Sequence, residues 1–181
     1  MSALLDVLIT VSSETPKAFV DQCKESVAAA VNQAPYSVNT IIVPGVPGHV
    51  GSAMMNGLKL STAPYVCWVD DDDWVQPRAF AILAPALRKT PVAVCAREMQ
   101  FYANGHTQEW PGRHHLTAYR ATWIKAQDLM PFKATPLVYL LKRLPPDVID
   151  VMEYVYMRRI RRSPAQKLRR LHTAAESKLW T

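Results

Sequence analysis

The sequence predicts one α/β domain whose mostly parallel sheet is flanked by helices, with a basic helical tail after it. Three observations predict this. Short apolar runs rich in β-forming residues alternate with stretches of helical periodicity; proline or glycine stands at most of the junctions; and the third apolar run ends in four consecutive aspartates, Asp70 to Asp73. With 181 residues, 49% of them hydrophobic and 20% charged, the chain can bury one sizeable core.

The elements follow in order. Leu5 to Val11 is an apolar β-forming run, and Thr15-Pro16 after it suits a helix N-cap with proline in the first helical position. That helix is expected to reach about Gln33 and to bury Phe19, Val20, Cys23, Val27 and Val31. A second strand, Thr40 to Val43, leads into the irregular loop Pro44 to Gly48. A helix over Gly51 to Ser61 and a third strand over Tyr65 to Val69 come next. Beyond the aspartates, Pro77 begins a helix to about Lys89, and Val92 to Ala96 reads as a fourth strand. Asn104-Gly105 between Met99–Tyr102 and Thr107–Trp110 marks a hairpin. Helices near Ala121 to Ala126 and Pro136 to Leu144, a strand-like Val148 to Tyr156, and a tail helix opened by Ser163-Pro164 complete the reading. The expected division is 1–153 for the α/β domain and 154–181 for a basic strand and helix extension packed on it.

Charge and cysteine content narrow the function classes. Residues 154–181 carry eight Lys or Arg against Glu176 alone, whereas residues 1–153 carry 13 against 14 acidic side chains. The basic character therefore belongs to the tail, which suits an anionic partner, either a nucleic acid or an anionic membrane surface, and equally a solvated helix face. No apolar run approaches the ~20 residues of a membrane span, so no transmembrane segment is expected. Cys23, Cys67 and Cys95 are odd in number and widely spaced, as reduced core thiols are, and the expected compartment is the cytoplasm.

The four carboxylates carry the chemistry. Like charges crowded at a strand end resist ionising together, so a cation belongs beside them. A hard divalent ion, Mn²⁺ or Mg²⁺, takes carboxylate oxygens and shares its remaining positions with phosphates, at the strand ends where open α/β sheets bind ligands. A helix dipole accounts for Asp73 alone.

Gly51-Ser52-Ala53-Met54-Met55-Asn56-Gly57-Leu58, then Ser61 to Val66, then Trp68-Val69-Asp70-Asp71-Asp72-Asp73-Trp74 and Pro77, resemble the central stretch of family 2 glycosyltransferases of the A-type, Rossmann-like fold. The similarity covers roughly residues 5 to 125. It implies a sugar transferred from a nucleoside-diphosphate sugar, with Asp70 and Asp72, joined by Asp73, meeting the metal and the donor diphosphate. Asp71 falls where a carboxylate reaches the ribose, and Thr10, Val11 and Ser12 fall at the strand end that touches the nucleoside. Arg159 and Arg161, with His172, match the family's closing basic stretch over the diphosphate, and His114-His115 in the loop after Trp110 fall where the family's acceptor side lies, with His115 expected to contact the acceptor or the donor diphosphate.

Three departures stand out. The stretch Ile42 to Gly45 lacks the family's base-holding aspartate, the helix before the third strand lacks its common basic residue around Met54-Met55, and Lys133 to Pro136 lacks the carboxylate that serves inverting members as general base. Asp128 is the first substitute for that base, with Asp150 and Asp147 after it. The acceptor is expected to bear phosphate: a lipid carrier, a surface polymer or modified DNA. The competing readings are a catalytically degenerate transferase-like binding domain and a metal-dependent nucleotidyltransferase.

Overall fold

The computed structural model describes residues 2–160 except 111, 114, 115, 134 and 135. The stretch expected to form a tail helix, with Arg161, Arg162, Lys167, Arg169, Arg170 and His172, lies outside them, as does His115.

The chain runs β1 (Leu5–Val11), α1 (Lys17–Asn32), β2 (Val38–Pro44), α2 (Val50–Leu60), β3 (Tyr65–Asp70), β4 (Trp74–Val75) and α3 (Ala79–Leu87). It continues with β5 (Ala93–Tyr102), β6 (Thr107–Trp110), β7 (Thr117–Arg120), α4 (Ala121–Lys125), α5 (Pro136–Lys142) and β8 (Val148–Ile160). The strands make one sheet in the order β2-β1-β3-β7-β5-β8-β4, with β6 hydrogen-bonded to β5. Strand β1 runs parallel to both β2 and β3, and β5 parallel to β8, whereas β7 is antiparallel to both β3 and β5. The sheet is therefore mixed, with its parallel half at β2-β1-β3.

Burial on both faces explains the continuous apolar runs. On one face Leu5, Val7 and Ile9 of β1 pack with Cys23, Val27 and Ala30 of α1 and Phe80 and Leu83 of α3. On the other, Leu8 and Trp68 pack with Met54 and Leu58 of α2, Ile124 of α4 and Leu140 of α5. A strand covered on both sides cannot alternate with polar residues. Asp6 breaks the rule inside β1 and is fully buried. It is kept charged by four donors: Asn39 Nδ2 at 3.0 Å, Ser61 Oγ at 2.9 Å, and the N–H groups of Thr62 and Ala63 at 2.7 and 2.8 Å. Desolvation opposes its charge, but these bonds win and hold its carboxyl below the usual carboxylate range. One side chain thus joins β1, β2 and the turn before β3.

Several elements depart from expectation for identifiable reasons. Helix α1 has Pro16 at its N-cap position with no side-chain cap, because the Thr15 hydroxyl donates to Asp71 instead. Val31 is only half-buried and Ala30 takes the core position. The separate runs Val92–Ala96 and Met99–Tyr102 are one strand, β5, continued through register shifts between Cys95 and Glu98. The hairpin turn holds, with Gly105 at a φ of 82° that favours glycine. Strand β8 extends to Ile160, so Tyr154 to Ile160 belong to the sheet. All three cysteines are buried and free. Among the described residues no helix is long and apolar enough to cross a membrane.

Candidate active site

The order of the parallel strands reverses at β1, which has β2 on one side and β3 on the other. Chains leaving the carboxyl ends of β1 and β3 diverge there and leave a crevice, the usual ligand position in open α/β sheets. A cavity of about 490 Å³ occupies it. Thr10 from β1 and Ser12 just after it, Trp68 and Asp70 to Asp72 from β3 and its turn, Ala53 and Met54 from α2, and Pro136 to Val138 of α5 line it.

The acidic turn is closed by its own backbone, with Asp73 N–H donating to Asp70 O at 3.1 Å. Asp70, Asp72 and Asp73 each offer a carboxylate oxygen, all within 4.8 Å of one another. Strand β8 fixes the turn from outside. The fully buried Tyr156 donates its hydroxyl to Asp73 Oδ2 at 2.8 Å and accepts the Asp70 N–H at 3.1 Å, while Arg159 N–H donates to Asp73 Oδ1 at 2.6 Å.

Electrostatics follow from this crowding. Loss of water and then the neighbouring Asp72 raise the Asp70 carboxyl to about 7, and burial followed by Asp70 and Asp72 pushes Asp73 well above the carboxylate range. Three hard oxygen donors that resist ionising together match a divalent cation, which would relieve the repulsion and leave positions for phosphate oxygens.

Asp71 faces a different task. It accepts the Ser12 N–H at 2.7 Å and the Thr15 hydroxyl at 3.1 Å, tying the β1–α1 turn to the acidic turn while still lining the cavity. Val11 contributes its carbonyl, which accepts the Gly45 N–H at 2.7 Å. A Cβ on Gly45 would sit 2.9 Å from that same oxygen, so the loop after β2 can approach β1 this closely only with glycine there.

Adjacent arginines of β8 take separate roles. The Arg159 guanidinium lies 3.7 Å from the Phe19 ring centroid and 5.1 Å from that of Trp74, and it donates to Asp72 O and Gln22. Arg159 thus braces the acidic turn against α1 and does not line the cavity. Arg158 does line it and reaches the buried Glu98 at 3.4 Å. Sequence reasoning chose Arg159 and missed Arg158, Tyr156 and Glu98; the basic pair was the only signal for the first, and no motif marks the other two.

The proposed general bases are not brought to the cavity. Asp128 is exposed and accepts the Met130 N–H at 3.0 Å, making a local turn. Asp150 receives two 2.7 Å bonds from Arg113 at a second, smaller cavity, and that guanidinium holds its carboxyl below the usual range. Asp147 is exposed and accepts the Val92 N–H through its carbonyl. Glu14 is the one carboxylate outside the aspartate run among the described residues lining the main cavity.

An open α/β sheet with a carboxylate cluster and a cavity at its switch point defines the class, that of ligand-binding α/β folds. The model of glycosyl transferase family 2 matches residues 18–144, and the chain belongs to that family. Among solved structures, S. aureus TarS 1–349 superposes with a TM-score of 0.64 at 10% identity, covering 86% of this chain and 60% of that one. The same TarS fragment in complex with UDP-GlcNAc gives 0.66 at 12% identity, covering 88% and 59%. The 4-diphosphocytidyl-2C-methyl-D-erythritol synthase from Anaerococcus prevotii gives 0.53 at 13% identity, covering 84% and 90%. At such identities the likeness is one of fold, and the chain spans about 60% of the length of the TarS fragment. No curated protein matches the sequence significantly.

Proposed function

We propose that this chain transfers a sugar from a nucleoside-diphosphate sugar, with Mn²⁺ or Mg²⁺ held by Asp70, Asp72 and Asp73. The observation that carries the reading is the set of three carboxylate oxygens within 4.8 Å at the end of β3, beside a cavity of donor size. When bound, the cation supplies Lewis-acid stabilisation of the negative charge that grows on a departing diphosphate. Thr10, Val11 and Ser12 form the nucleoside end of the site, with Asp71 holding their turn in place and its carboxylate beside the ribose position. Arg158 supplies the positive charge facing the diphosphate. The acceptor bears a phosphate, in keeping with the basic residues 154–181.

A second reading is favoured by one observation: among the described residues, Glu14 alone offers a carboxylate to the cavity outside the cluster. On that reading the domain binds the donor without transferring its sugar. A thermal-shift series with UDP, GDP, CDP and their sugars, with and without Mn²⁺, followed by measurement of free nucleoside diphosphate over time, separates the readings. Metal-dependent binding with release of diphosphate supports transfer, and metal-dependent binding without release supports the binder. Pyrophosphate release from a nucleoside triphosphate would instead favour nucleotidyl transfer. If no nucleotide binds, or if Asp72→Asn binds with unaltered metal dependence, the metal-centred reading fails. UDP-sugars are the first to try, since the TarS fragment has been crystallised with UDP-GlcNAc.

A further inference from the structure

We propose that the surface beside the cavity formed by the start of α2, the 129–133 turn and α5 docks on an anionic lipid surface. Three aliphatic side chains stand out into solvent there: Val50 at 43%, Met130 at 50% and Val138 at 38% exposure. They are neighbours in space although distant in sequence. Val50 N–H donates to Lys133 O at 3.3 Å and Gly51 N–H to Phe132 O at 2.9 Å, which seats the 129–133 turn on the start of α2. Val50 and Val138 both line the mouth of the same cavity. Singly exposed aliphatics need no explanation, but two at one opening with a third, Met130, on the turn bonded to its wall form a patch of the kind that meets a partner.

Charge selects the partner. Residues 110–146 carry six Lys or Arg against Asp128 alone, and residues 45–69 carry no acidic residue at all. Lys133, Lys142 and Arg143 are exposed beside the aliphatic patch, and Arg143 lies 4.3 Å from the Tyr139 ring centroid. The Asp128 carboxylate already accepts the Met130 N–H, and Glu14 stands on the far lip. A nucleic acid would use the cations and gain nothing from the aliphatics. A bilayer with anionic headgroups uses both, the cations at the phosphate level and the aliphatics just below it. Docked this way, the mouth opens toward lipid headgroups. The inference stands on this surface alone and does not depend on which nucleotide the cavity takes.

The test is flotation of the full chain with vesicles of phosphatidylcholine alone or mixed with phosphatidylglycerol. Variants are Met130→Ser, the pair Lys133→Gln with Lys142→Gln, and a tail variant carrying Arg161, Arg162, Arg169 and Arg170 as Gln. Binding is expected only with phosphatidylglycerol; it should fall about tenfold or more for the lysine pair and clearly for Met130→Ser, and persist in the tail variant. Circular dichroism confirms that each variant is folded, and the lysine pair, being exposed, decides the matter if Met130→Ser is not. Absence of binding by the unaltered chain, undiminished binding by the lysine pair, or loss in the tail variant alone would overturn the proposal. So would full displacement from vesicles by short duplex DNA, which would assign the surface to nucleic acid.

Discussion

Replacing Gly51 by alanine sets two effects of opposite sign against each other. Gly51 is the second residue of α2, and in a helix alanine is intrinsically better than glycine by about 1 kcal/mol. Helix propensity alone therefore expects a more stable protein. The surroundings reverse the sign: a Cβ there would sit 1.8 Å from Leu129 O, 2.9 Å from Leu129 C and 2.9 Å from Phe132 O, all backbone atoms. Ordinary contact requires a displacement of roughly 1.5 Å, and such overpacking costs about 1–3 kcal/mol. That displacement also breaks the bonds from Gly51 N–H to Phe132 O and from Val50 N–H to Lys133 O, each worth about 1 kcal/mol. The expected net loss is about 2–4 kcal/mol. Equilibrium urea unfolding followed by tryptophan fluorescence measures it, as a lower midpoint with unchanged slope. An alanine variant as stable as the parent would refute the close approach of α2 to the 129–132 turn. It would also undermine the cavity wall built on it.

Other expectations follow from the same contacts. Asp6→Ala should cost about 3 kcal/mol by stranding buried donors, read by thermal unfolding. Because the folded-state pKa of Asp6 is lowered, its stabilisation is present above the unfolded value of about 4 and is lost as pH falls through the folded one; a pH series in which the parent and Asp6→Asn lose stability in parallel would contradict this. Arg158→Gln should weaken binding of a nucleoside diphosphate far more than of the nucleoside, by about tenfold as one charged hydrogen bond is lost, whereas Arg159→Gln should lower the melting temperature; isothermal titration and thermal melts distinguish the two. Asp128→Ala should leave donor binding intact, and a fall of about 100-fold in transfer rate would identify it as the general base despite its distance from the cavity.

What was legible in the sequence is what local pattern can encode. Strands β1 and β3 were readable because both of their faces are buried, and β2, mostly exposed, and helix α2 because their apolar runs are bounded by turns with proline and glycine. The aspartate run was readable because its charge has no local explanation. Strands β4 and β7, two and four residues long, exist only through pairings such as Trp74 with Met157 and Tyr65 with Arg120, which no window contains. Strand β5 looked broken because Arg97-Glu98 interrupts its apolar run. In the fold Glu98 is buried with Gln100 and Arg158 as partners, so the polar pair does not end the strand. The same limit applies at the site. Tyr156 meets Asp73 across 83 residues, and that partnership depends on the register of β8 against β5 and β4. The choice of Asp128 rested on order along the chain, which says nothing of distance.

The Tyr156 contact also places the site in time. During synthesis β1, β2, β3 and the acidic turn emerge and can pair before β8 exists, yet the hydroxyl and backbone N–H that fix Asp73 arrive only with residues 156 and 159. Until then three carboxylates repel one another at the end of a young sheet, held by the turn's own Asp73 N–H to Asp70 O bond and the Asp71 ties to Ser12 and Thr15. A nascent chain stalled after residue 144 contains the whole stretch that defines its family and lacks the strand that completes its site. On the proposed metal-centred reading, the site is complete only after one late step, when β8 takes its place between β5 and β4.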